Sequence, residues 1–70
     1  MNFYPILRQE LDKNRITISR LATELNVTED FIRSKLDGKS PWMLSEALRV
    51  CRLLNYSDIK LLFLQFDNNS

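Results

Sequence analysis

Apolar residues recur along this 70-residue chain at steps of three and four, and no strand-like alternation appears before the last ten positions. That period predicts helices throughout. A first helix is expected from Pro5 to Asn14, with Pro5 suited to a first helical position and Leu7 and Leu11 on one face behind Phe3 or Tyr4. Thr17 is the expected N-cap of a second helix ending near Leu25, with Leu21, Ala22 and Leu25 inward. Asn26-Val27 reads as a short turn in which Asn takes a left-handed conformation. Thr28 then caps a third helix that runs to about Asp37, with Phe31, Ile32 and Leu36 inward and Gly38 in the left-handed position beyond its end. After a turn at Ser40-Pro41-Trp42, a fourth helix is expected from Met43 to Leu54, with Leu44, Ala47, Leu48, Cys51 and Leu54 inward. Asn55-Tyr56-Ser57 breaks the pattern, and a short fifth helix follows from Asp58 to Phe66. The fold class is therefore all-α: one compact five-helix domain over residues 1–66, with a frayed tail at 67–70.

The last helix is overloaded. One face of a helix can bury Ile59, Leu62, Phe63 and Phe66, or Leu61 and Leu64 with some of these, but not all six in so small a body. Two readings follow: a wide core face, or a surface for an oligomer or partner, and the second is preferred.

Composition narrows the chemistry. Apolar residues make up 44% of the chain, enough for a folded core. Cys51 is the only cysteine and there is no histidine, which removes the usual zinc sites, a Cys-His pair and a Ser-His-Asp triad. The longest apolar run, Leu61 to Leu64, is far too short for a bilayer, and Met-Asn-Phe-Tyr-Pro does not read as a signal peptide. The expectation is a cytoplasmic binding module, not an enzyme, with no cofactor, metal, small-molecule substrate or membrane partner. Ten basic and nine acidic side chains leave a net charge of +1. A DNA-binding domain commonly carries a clearer basic excess.

The segment from Ile16 to Lys39 holds two short helices joined by a tight turn, with small Ala22 at their close approach, Val27 at the corner and Ile32 anchoring the second helix. It resembles the helix-turn-helix of the phage Cro and repressor proteins: Leu21-Ala22, Leu25, Val27, Thr28, Ile32 and Gly38-Lys39 match without a gap. The run from Lys35 to Trp42, followed by Leu44, Glu46 and Ala47, is similar to a subgroup found in phages of Gram-positive bacteria. The resemblance implies a lambda-repressor-like DNA-binding fold. It implies an operator-binding regulator of a phage genetic switch, whose third helix enters the major groove of double-stranded DNA. Thr17, Arg20, Thr28, Glu29, Asp30, Arg33, Ser34 and Lys39 are then the DNA-facing candidates, with Arg8, Lys13 and Arg15 near enough to meet the backbone.

Two positions depart from the family pattern. Ile18 stands where the family usually has Gln, and Glu29 and Asp30 open the helix that should read bases. These departures support an alternative: an antirepressor, or modulator of repression, that binds the cognate phage repressor and blocks its DNA-binding surface. Its interface candidates are Ile18, Glu29, Asp30, Phe31, Trp42, Leu62 and Phe66, and the C-terminal segment is the candidate surface for a homodimer. Plainer readings stand beside these. Glu29 and Asp30 suit the helix dipole at a first turn by about 0.3–1 kcal/mol each. Ile18 is expected to be partly exposed, Cys51 to be a buried thiol, and Trp42 to be a lid on the core or a partner anchor. Lys35 and Arg33 are either solvated charges or ligand contacts, with ligand contact favoured for Arg33.

Overall fold

The computed structural model describes residues 3–65, which form five helices: α1 (Pro5–Lys13), α2 (Ile18–Leu25), α3 (Glu29–Leu36), α4 (Leu44–Leu54) and α5 (Ile59–Leu62). Among the described residues there is no strand. Each helix supplies at least one fully buried side chain to a shared core: Leu7, Leu21, Ile32, Leu36, Val50 and Leu62. Burying such a side chain contributes about 1.5–3 kcal/mol, so a small body of this kind depends on every helix being seated.

The helix starts follow from short polar residues. Thr17 Oγ1 accepts the Arg20 amide at 3.1 Å and Thr28 Oγ1 accepts the Phe31 amide at 3.2 Å. Asp58 accepts the Leu61 amide at 3.1 Å. The helix ends share one device. Ile16, Val27, Lys39 and Tyr56 each donate a backbone N–H to the carbonyl five residues back, on Leu11, Ala22, Ser34 and Cys51. The residue just before each donor, Arg15, Asn26, Gly38 or Asn55, has positive φ. This is the Schellman reversal, and it turns the chain sharply after each of the first four helices. Asn and Gly suit the left-handed position, whereas Arg15 holds it at φ 57° against its side-chain sterics. Gly38 is required twice over: its φ is 79°, and a Cβ there would lie 2.6 Å from the Phe3 ring.

Four aromatic rings close one end of the body. Trp42 packs edge-on to Phe63 (5.2 Å between centroids), Phe63 to Tyr4 (6.2 Å) and Tyr4 to Phe3 (5.6 Å). The chain start, the α3–α4 turn and the end of α5 are thereby tied together, and Gln65 Nε2 donates to the Tyr4 hydroxyl at 2.8 Å.

Several inward assignments need correction. In α4 the buried stripe is Ala47, Val50, Cys51 and Leu54, while Leu44 and Leu48 point outward at 70% and 49% exposure. Two adjacent helical ridges were both apolar, and the body uses the one containing Val50. In α3 the stripe is Ile32, Lys35 and Leu36, which leaves Phe31 at its edge, 39% exposed. The fifth helix has four residues, because Phe63 departs from helical geometry (φ −101°, ψ 20°). Leu62 is fully buried there and is a core residue, not an interface residue. Ile59 and Phe63 are half-buried, and Leu61 and Leu64 are exposed. Phe66 and the tail at 67–70 lie outside the described residues.

Candidate functional site

The connection between α2 and α3 is three residues long, and its geometry comes from the two devices above: a left-handed Asn26 ends α2 and Thr28 starts α3. Ala22 is buried and its carbonyl accepts the Val27 amide at 2.9 Å, so the small side chain sits where the two helices turn on each other. The outer faces of α2 and α3 then form one surface. Thr17, Ser19, Arg20, Thr28, Glu29, Asp30, Phe31, Arg33 and Lys39 are exposed on these helices and their flanks, and Ile18 and Ser34 are half-buried. The sequence-derived candidates on these two helices are thus accessible, with Phe31 toward the α3–α4 turn against Lys35 and half-buried Ile18 beside Arg8, Asp12 and Leu36.

The electrostatics of this face are close to neutral. Arg20 lies 3.8 Å from Glu24 one turn on. Arg33 is forked between Glu29 Oε1 at 3.3 Å and Asp30 Oδ1 at 3.2 Å, both on its own helix. These pairs are solvent-exposed and each is worth only about 0.3–0.5 kcal/mol, so they do not lock the side chains. They do cancel charge. The two exposed cations of α2 and α3, Arg20 and Arg33, stand beside three carboxylates, Glu24, Glu29 and Asp30, and exposed Lys39 just beyond α3 makes the count three against three.

The third cation, Lys35, is not a solvated charge. It is 4% exposed. Its Nζ donates to Glu46 Oε1 and to the Pro41 carbonyl at 2.8 Å. The ammonium also lies 4.6 Å from the Phe31 ring centroid and 5.8 Å from that of Trp42. Glu46 Oε1 accepts the Met43 amide as well, at 2.9 Å, which is half of a capping box at the start of α4. Burial pushes the Glu46 carboxyl up, but the hydrogen bonds from Lys35 and Met43 and the lysine charge outweigh it, and its pKa lies below the ordinary glutamate value. The cluster fixes the end of α3 to the start of α4 and braces the inner side of the Phe31 ring. The spacing carried a signal for it: Lys35 lies three residues after Ile32, on the buried ridge of α3.

Of the other candidates, Arg8 pairs with Asp37 at 3.3 Å, which ties α1 to the end of α3. Trp42 is half-buried against Phe63 and acts as a lid over the core. Cys51 is buried, and burial together with the negative charge of Asp58 pushes its thiol pKa up. Among the described residues no group of His, Cys, Asp or Glu is placed to hold a metal ion, and no helix is long and apolar enough to cross a membrane. No family model, no curated protein and no solved structure matches the chain.

Proposed function

We propose that this chain is a helix-turn-helix component of a phage-type genetic switch, and that its α2–α3 surface binds the DNA-reading face of the cognate repressor. The observation that carries this reading is the charge on that surface. Both exposed cations of α2 and α3 have carboxylates within 4 Å, and with Lys39 beyond α3 the surface carries three cations and three carboxylates, so it lacks the basic excess a DNA-reading surface uses. A DNA-reading helix approaches phosphates spaced a few ångströms apart along the duplex, and the affinity of that approach comes largely from unneutralised Lys and Arg. A repressor's reading surface is positive, so Glu29 and Asp30 at the start of a projecting helix are complementary to it. Exposed Phe31 and half-exposed Ile18 supply apolar contacts beside these charges. Binding there covers the repressor's DNA-contacting groups and relieves repression by competition.

Operator DNA is the second reading, favoured by the short capped turn that projects α3 and by exposed Lys39 just beyond its end. In that reading Arg33 leaves its carboxylates to contact a base, and Arg20 and Lys39 contact phosphates.

Titration of the purified chain against the repressor encoded beside it, and separately against the neighbouring intergenic DNA, distinguishes the two. The first reading predicts a stable protein complex and no shift of DNA at low salt. A sequence-specific DNA shift without a protein complex overturns it in favour of the second.

A further inference from the structure

We propose that Phe31 is the aromatic anchor of the α2–α3 surface and that buried Lys35 is its positioning residue, holding the ring in place for an aliphatic side chain of the partner. The inference rests on the repressor reading and names a contact within it. Among the described residues Phe31 is the one exposed aromatic side chain, at 39%, while Phe3, Tyr4, Trp42, Tyr56 and Phe63 are half-buried or buried. It lies one turn before Lys35 on α3, and the Lys35 Nζ stands 4.6 Å from its ring centroid. An ordinary surface lysine is a mobile charge on a flexible stem. This one is 4% exposed and is held from two further segments, by the Pro41 carbonyl at 2.8 Å and by Glu46 of α4. The half-buried Trp42 ring, 5.8 Å from the same Nζ, flanks it. Phe31 therefore rests on a fixed cation, and a side chain ordered before binding loses less entropy when the partner arrives.

The cation also sorts the partner's groups. Its hold on the π charge from one side disfavours a second cation on the outer side of the same ring. The partner's basic groups have better acceptors one and two residues away, in the exposed carboxylates of Asp30 and Glu29. The outer side of Phe31 is left for an aliphatic group, which buries apolar area against a ring already in place.

The test uses the full chain and the cognate repressor. In the free wild-type chain the Phe31 ring current should move the Lys35 Hε resonances upfield, and Phe31→Leu should return them to ordinary values. In the complex, methyl groups of the repressor should show NOEs to the Phe31 ring. Phe31→Leu should weaken repressor binding by about tenfold or more with the fold intact. Lys35→Gln keeps a hydrogen-bond donor and removes the charge. It should weaken binding about fivefold where Phe31 is present, and have no effect on binding where Phe31 is replaced by Leu. A lysine with a purely structural role would weaken both backgrounds alike. Ordinary Lys35 shifts in the free chain, wild-type affinity of Phe31→Leu, equal losses in both backgrounds, or NOEs from Phe31 to repressor Arg or Lys side chains in place of methyl groups each overturn the inference and leave the repressor reading standing. Where Lys35→Gln does not fold, the Hε shifts and the Phe31→Leu affinity still decide it. Absence of any complex with the wild-type chain overturns the repressor reading, and this inference with it.

Discussion

Lys35 on the last turn of α3 and Glu46 on the first turn of α4 form a largely buried ion pair, and it joins the candidate surface to the rest of the body. The same lysine bonds the Pro41 carbonyl and the same glutamate bonds the Met43 amide, so both ends of the α3–α4 turn are held by one pair. Removing one partner of such a pair leaves the other with its desolvation cost and without its counter-charge. Lys35→Met is expected to destabilise the fold by about 2–4 kcal/mol, below the full range for a wholly buried pair because Glu46 keeps the Met43 amide and some exposure. Chemical denaturation measures this. A double-mutant cycle with Glu46→Gln should give a coupling of at least about 1 kcal/mol, and additive losses would mean that the contact carries no net energy.

The pair also sets a pH dependence. The folded pKa of Glu46 lies below its unfolded value, so its contribution is fully present above the ordinary glutamate range and is lost as pH falls through the lowered folded value. Denaturation midpoints should therefore drop on acidification, and Glu46→Gln should flatten that part of the profile. An unchanged acid slope in the variant would assign the dependence to other carboxylates.

Backbone conformation gives two substitutions of opposite sign. Gly38→Ala forces a side chain into a left-handed position and against Phe3, and should cost about 1–2 kcal/mol or more. Arg15→Gly relieves a left-handed residue of its Cβ and should stabilise the chain by up to about 1 kcal/mol, less the backbone entropy that glycine loses. Thermal melts of the two variants should move in opposite directions, and a loss of stability in Arg15→Gly would refute the strain assigned there.

Much of this architecture was legible because helix starts and stops are written in short-range chemistry. Thr17 and Thr28 cap as expected, and Asn26 and Gly38 turn the chain as expected, since each acts within a few residues of itself. What stayed hidden depends on neighbours distant in sequence. Leu44 and Leu48 fit an apolar stripe as well as Val50 does, and only the packing of α4 on the body chooses between them. Lys35 looked like a surface charge because its partner Glu46 lies eleven residues away across a turn. For the candidate surface, the departures at Ile18, Glu29 and Asp30 could be read directly. The pairing of Arg33 with both carboxylates could not, since three- and four-residue spacing permits such contacts without ensuring them.

The claim that the α2–α3 surface engages a repressor's DNA-reading face is tested most directly by competition. Labelled operator DNA bound to the cognate repressor is titrated with this chain, and the anisotropy of the DNA is followed. The account predicts release of the DNA by the wild-type chain, and no release by the variant carrying Glu29→Lys and Asp30→Lys, because the reversed charges are repelled by the repressor's basic surface. Release that is equally strong with the charge-reversed variant would contradict the account, as would a wild-type chain that binds the operator itself and leaves the repressor in place.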